Sequence, residues 1–414
     1  MKKTEQKYQT YVQILKEELI PAMGCTEPIS LAYGASLARK VLNHLPTKIV
    51  VEASGSIIVP HTHHLKGIKA AVCAGIIGGN DDKYLEVLSQ IDEKTKKEID
   101  QYIEKVDFEE HFLDSSKVFD YIITVWNKKE YVKVRISDSH MHVVCIEKNG
   151  KILQKEKSII KKEKADRSLL DIKDIYDFIT TVDLIDIQEI LERQLDYNYA
   201  IACAGLNDNY GANIGKVLLK SFGNDVKNKA KAYAAAGSDA RMNGCELPVV
   251  INSGSGNQGM TCSLPVIIYA QELKVSKEKM FRALALSNLV AIYEKSGILS
   301  AYCGAVSAAT GAGAGIAYLY DEDYQAVIHT IVNTLANVSG IVCDGAKASC
   351  AAKIASSIDA AILGYHMYKN GQEFKSGDGL VMEDVEATIQ SVGRLGREGM
   401  KETNKEIIKM MIHE

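Results

Sequence analysis

The chain has 414 residues, with 49 Lys and Arg against 53 Asp and Glu and a formal net charge of −4. A chain of this length buries a large core and more readily forms two domains than one. Basic residues are scattered or held in short runs such as Lys161-Lys-Glu-Lys164, which excludes the continuous basic patch that a nucleic-acid partner needs. The start, Met1-Lys-Lys-Thr-Glu-Gln-Lys7, has no apolar signal core, so a cytoplasmic location is expected. In that reducing compartment the nine cysteines, an odd number, stay available as thiols.

Taken in chain order, residues 5–20 predict an amphipathic helix, with Tyr8, Tyr11, Val12, Leu15 and Leu19 at helical spacing and Pro21 as its stop. The segment Pro21-Ala-Met-Gly-Cys-Thr-Glu-Pro28 turns into a second helix rich in small residues, from Ile29 to about Leu42. Thr26 and Glu27 place polar groups where the first backbone N–H groups of that helix lack partners. From Lys48 the texture changes. Ile49-Val-Val-Glu-Ala53 is a strand candidate, and Lys66 to Gly78 reads as a helix. Tyr121 to Trp126, Tyr131 to Ile136 and His142 to Leu153 alternate as an antiparallel meander, with Asn149-Gly150 as a type I′ hairpin turn. The charged stretch Lys155 to Asp166 is the expected exit linker.

From Ser168 onward helices follow one another, interrupted by glycine-rich breaks at 251–259 and between Ser339 and Asp344. The apolar run Ile298 to Tyr320 is filled with Gly and Ala and is followed by Asp321, so it reads as a buried helix with close neighbours and not as a membrane span. The expected fold class is α+β: a mostly helical domain with a smaller α+β domain inserted. Its expected bounds are 1–46 for N-terminal helices packing with the helical domain, 47–165 for the α+β domain, and 166–414 for the helical domain.

Two motifs carry chemistry. Cys303, Cys343 and Cys350 lie in Gly- and Ala-rich surroundings, with Cys25 far upstream. Thiolates are the preferred ligands of iron–sulfur clusters, and three of them leave one iron open as a Lewis acid. Their spacing matches neither a ferredoxin run nor a zinc ribbon, and buried cysteines also serve as apolar fillers, the reading given to Cys73, Cys145, Cys203 and Cys262. The second motif is Asn252-Ser-Gly-Ser-Gly-Asn-Gln-Gly259. Its glycines permit positive φ, so successive N–H groups can converge on a carboxylate or phosphate; a polar interhelical loop is the alternative. No Lys-Ser/Thr follows, so it is not a Walker loop.

Four segments occur in order: Pro21 to Pro28; Ala235-Ala-Gly-Ser-Asp-Ala-Arg-Met-Asn-Gly-Cys245 leading into Asn252 to Gly259; Tyr302-Cys-Gly-Ala-Val-Ser307; and Gly340-Ile-Val-Cys-Asp-Gly-Ala-Lys-Ala-Ser-Cys350. On these the chain resembles, over nearly its whole length, the L-cysteine desulfidase family, which is related to the alpha chain of iron–sulfur L-serine dehydratases. The resemblance implies an oxygen-sensitive [4Fe-4S] cluster, no pyridoxal phosphate, and conversion of L-cysteine to pyruvate, ammonia and sulfide. By motif match it makes Cys303, Cys343 and Cys350 the cluster ligands. Cys25 becomes the base that takes the Cα proton, or else a fourth ligand. Asn252, Ser253, Gly254, Ser255, Gly256, Asn257 and Gln258 would hold the substrate carboxylate.

The chain departs from the family at Val59-Pro-His-Thr-His-His64, which is shorter and poorer in glycine than the segment in relatives. L-Serine dehydration and a non-catalytic iron–sulfur or amino-acid-binding role are the alternatives. Asp239 and Arg241 read as substrate-binding or structural, Asp344 and Lys347 as tuning the cluster or as a surface pair, and Tyr302 as core or catalytic. The expected partner is a small amino acid, with no nucleic acid and no membrane; a homo-oligomer is left open.

Overall fold

The structure, a computed structural model, describes residues 1–23, 26–54, 67–113, 115, 119–155, 164–296, 302–321, 323–345 and 347–412. Cys25, the histidine-containing stretch 59–64 and most of the expected linker lie outside the described residues. The chain divides into two units. One comprises Met1–Pro21 with Lys162–Lys405, and the other Ala22–Lys161 with Glu406–Glu414.

Helix α1, Gln6–Glu18, opens the first unit and buries Tyr8, Tyr11, Ile14 and Leu15, the face its spacing predicts. The Tyr8 and Tyr11 rings stand edge-on to Phe178 at 5.5 and 5.4 Å. Arg167 then fixes the end of α1 by pairing with Glu17 and Glu18 at 3.0 and 2.6 Å.

The second unit begins with α2, Thr26–Leu42, followed by β1, Lys48–Ala53, then α3, Gly67–Gly78, and α4, Glu93–Lys105. The strands β2, Asp107–Phe112, β3, Asp120–Asn127, β4, Glu130–Ser137, β5, Val143–Lys148, and β6, Lys151–Lys155, complete a six-stranded sheet in the order β2-β1-β3-β4-β5-β6. Only β1 and β2 run parallel, joined through α3 and α4; the remaining pairs are antiparallel. Ile49, Val51 and Ala53 are buried at alternate positions of β1, as period-2 side chains on a half-covered sheet require. The hairpin turn is as its residues predict, with Asn149 at φ 51° and Gly150 at φ 79°.

Helix α2, expected with the helical domain, instead lies in this unit, against α3, β3 and β4. The reason is a backbone approach: a Cβ on Gly75 would stand 2.1 Å from the Ala32 carbonyl oxygen, so α2 and α3 touch where only glycine fits.

The first unit resumes with α5, Ile172–Thr181, α6, Gln188–Asn207, α7, Ile214–Phe222, and α8, Val226–Met242. It continues with α9, Gly256–Glu272, α10, Lys277–Lys295, α11, Gly304–Asp321, α12, Tyr324–Asn337, α13, Cys350–Lys369, and α14, Val385–Arg394. A last helix, α15, covers Lys401–Ile412, and its residues from Glu406 onward belong to the second unit. The Gly- and Ala-rich α11 is the hub, packed by α9, α10, α12 and α13. Its small residues allow this: a Cβ at Gly311 would come within 2.3 Å of the Ser287 carbonyl oxygen on α10. Among the described residues no helix is long and apolar enough to cross a membrane.

Candidate functional site

The break after α12 folds back on the residues before α11. Tyr302 and Val342 form an antiparallel bridge, and the Cys303 N–H donates to the Ile341 carbonyl at 2.9 Å. This pairing brings Cys303 beside Cys343 although α11 and α12 separate them in sequence. Gly345, at φ 90°, turns the chain toward α13, whose first residue is Cys350. The Lys347 N–H points at the Cys350 sulfur, 3.5 Å away.

The electrostatics of the three thiols differ. The Cys303 thiol donates to Cys343, and this bond, with the Gly345 N–H and the cations Lys295 and Lys353, outweighs burial and lowers the Cys343 thiol to about 6. The same bond, reinforced by burial, pushes the Cys303 thiol well above its ordinary value. Burial raises Cys350, against the pull of the Lys347 N–H. Lys353 donates to the Val342 carbonyl at 3.0 Å and pairs with Asp344, and Lys295 reaches the Tyr302 carbonyl at 3.4 Å. Two lysines therefore flank the thiols; against the pull of burial Asp344 raises Lys353, whereas burial lowers Lys295.

The loop before α9 is a closed turn. Asn252 and Ser255 exchange both backbone hydrogen bonds, at 3.1 and 3.0 Å, with Ser253 at φ 49° and Gly254 at φ 78° between them. The Asn252 amide is buried and held by the Asn288 side chain at 2.9 Å, so it braces the turn. Ser255 precedes α9 without a side-chain cap. The first-turn N–H groups of Gly256, Asn257 and Gln258 accordingly lack helical acceptors.

Arg241, at the end of α8, covers this helix start. It is 5% exposed, and its Nη1 approaches Asn257 Oδ1 at 3.4 Å, while Nε and Nη2 have no partner. A Cβ on Gly256 would stand 2.4 Å from Arg241 Nε, so the glycine lets the guanidinium lie on the first turn. Gln258 is 8% exposed with Oε1 unpartnered, and a Cβ on Gly304 would come within 2.3 Å of its Cδ. Gln258 thus links the start of α9 to the residue after Cys303. Asp239 Oδ2 accepts from the Ile214 N–H at 2.6 Å, at the start of α7, while its Oδ1 is buried without a partner.

Of the residues expected from sequence, the structure gathers Cys303, Cys343 and Cys350 in one place and sets Gln258, at the end of the 252–258 segment, against Gly304, which follows Cys303; Cys25 is outside the described residues. Cys73 and Cys262 are buried, Cys145 and Cys203 half-buried. Lys295 and Lys353 escaped the sequence reading. Lys353 follows Cys350 by one helical turn of α13, a spacing that could have been noticed, whereas Lys295 looks like any helix-ending lysine.

The helical unit thus collects three thiols beside a glycine-rich helix start that has no side-chain cap. The serine dehydratase alpha chain family matches residues 82–409, and the chain belongs to that family. Its similar proteins include a UPF0597 protein of Desulfitobacterium hafniense, 54% identical over 100% of this chain and 99% of the relative. UPF0597 proteins of Lachnoclostridium phytofermentans, at 48% (98% of this chain, 100% of the relative), and Treponema denticola, at 43% (98% of each), are also similar. The family is one of lyase-type enzymes associated with iron–sulfur chemistry.

The residues fit such a group. Among the described residues no three His, Cys, Asp or Glu side chains close around a single ion. A cluster does not ask for that, because each thiolate binds a different iron. Three thiols, one of them lowered to about 6, make a suitable donor set, and Lys295 and Lys353 lie near enough to favour the Cys343 thiolate.

Proposed function

We propose that this chain is an iron–sulfur-dependent lyase that eliminates sulfide from L-cysteine, yielding pyruvate, ammonia and hydrogen sulfide. The observation that carries the reading is the convergence of Cys303, Cys343 and Cys350 next to the start of α9. Those three residues would hold a [4Fe-4S] cluster, which when bound supplies a Lewis acid for the sulfur leaving Cβ.

The remaining work falls to the chain. Metal binding requires thiolates, and Lys295 and Lys353 favour them. The start of α9 at Gly256–Gln258, the part of the Asn252–Gly259 segment left free by the closed turn, binds the substrate carboxylate; neutralising that charge makes the Cα proton easier to remove. Cys25 takes that proton, a role it receives from the resemblance alone. Loss of hydrosulfide leaves aminoacrylate, which tautomerises to an imine and hydrolyses in water to pyruvate and ammonia.

L-Serine is the second reading, favoured by the description of the matched family. The test is iron and acid-labile sulfide analysis of protein purified without oxygen, followed by pyruvate and sulfide assays. Iron with sulfide release from L-cysteine is the expected result. Pyruvate from L-serine alone moves the assignment to the second reading. Absence of iron and sulfide after reconstitution would sink both.

A further inference from the structure

The strongest unexplained feature of the first unit is a pair of buried groups of opposite hydrogen-bonding sense on one helical turn. Arg241 is 5% exposed, yet Nε and Nη2 have no acceptor. Gln258 is 8% exposed, yet Oε1 has no donor. A buried cation without an anion is costly to a fold, and so is a buried amide oxygen without a donor. Asp239, the carboxylate on α8, turns Oδ2 to the Ile214 N–H at 2.6 Å and leaves Oδ1 without a partner, so it does not bond the guanidinium. The guanidinium lies instead over Gly256 and Asn257, where the free N–H groups and the positive end of α9 add to its charge. The Gln258 amide lies farther along the same turn, against Gly304 beside Cys303.

We propose that Arg241 and the first turn of α9 bind the α-carboxylate of the substrate while Gln258 Oε1 accepts from its α-ammonium, so that the site selects α-amino acids as zwitterions. This rests on the amino-acid reading above and makes it more specific. A guanidinium fork matches a carboxylate in two parallel bonds, which a lysine cannot copy. With both ends held on α9, the side chain of the amino acid is directed to the Cys303 end of the site.

The test is calorimetric titration of the full chain, purified without oxygen, with L-alanine, which has no β-leaving group, and with propionate and ethylamine as its two halves. Asn257→Asp places a carboxylate against the guanidinium and supplies internally what the ligand would bring. It should keep or raise the melting temperature and the iron content, yet weaken L-alanine and propionate about ten- to a hundredfold. Arg241→Lys should weaken the same two ligands. Gln258→Leu should weaken L-alanine and ethylamine but not propionate. L-Alanine binding to Asn257→Asp at wild-type strength overturns the proposal even if L-cysteine is turned over. Propionate binding that Asn257→Asp abolishes, in a protein that neither binds nor turns over any amino acid, keeps the carboxylate cradle and overturns the amino-acid reading.

Discussion

Glu294 lies near the end of α10, 4% exposed, with Oε1 unpartnered. Burial pushes its carboxyl well above the ordinary carboxylate range. The folded state therefore keeps a proton that the unfolded chain loses near pH 4.3, roughly. Above that pH the native state binds more protons, so stability falls as pH rises toward the folded-state value. Glu294→Gln removes this loss. Urea midpoints measured from pH 5 to pH 8 should decline less in the variant than in the wild type, and equal declines would show that Glu294 is ionised in the fold. At the thiols, Cys303→Ala, Cys343→Ala and Cys350→Ala should each lose the iron, whereas Cys25→Ala should keep most iron and lose turnover. Equal iron loss in Cys25→Ala would make Cys25 a ligand. The three cysteines were legible only through the order of their motifs, because their spacing alone fits fillers as well. Glu294 and Lys295 were illegible, since a Glu-Lys pair at a helix end is normally solvated and nothing local reveals its burial.

Among the elements, α11 shows how far small residues set the packing. Gly311→Ala forces a methyl to within 2.3 Å of the Ser287 carbonyl oxygen, and α10 must give way. The expected cost is about 1–3 kcal/mol, read as a lower urea midpoint with an unchanged slope. An unchanged midpoint would mean that α10 and α11 stand farther apart. The meander and its Asn149-Gly150 turn were readable because alternation and turn chemistry are local signals. Strand β2 was not, since Asp107-Phe-Glu-Glu-His-Phe112 carries charges on an edge that only its pairing with β1 defines. The glycine content of the 251–259 break is likewise a local signal. What escaped was that Asn252 to Ser255 closes on itself, leaving Gly256 to Gln258 as the part free to bind.

At the scale of the whole molecule, two units with separate cores should melt separately. Ile123 is fully buried in the sheet unit. Ile123→Ala should cost that unit about 2–5 kcal/mol and move one of two calorimetric transitions. A single transition that moves as a whole would show that the units unfold together. The change of texture near Lys48 and Ser168 revealed that two units exist. Assignment of α2 to the sheet unit could not be read, because a helix of small residues has no strong apolar face and its partner is set by the contact of Gly75 with Ala32.

That the first unit is assembled from Met1–Pro21 and Lys162–Lys405 has a consequence for the chain during its synthesis. Tyr8 and Tyr11 need Phe178, and 178 − 11 leaves 167 residues to be translated after Tyr11. At ribosomal speeds that is a wait of roughly 8 to 33 seconds. During it the sheet unit can fold while α1 still shows its tyrosine and leucine face, a natural hold site for a chaperone on the nascent chain.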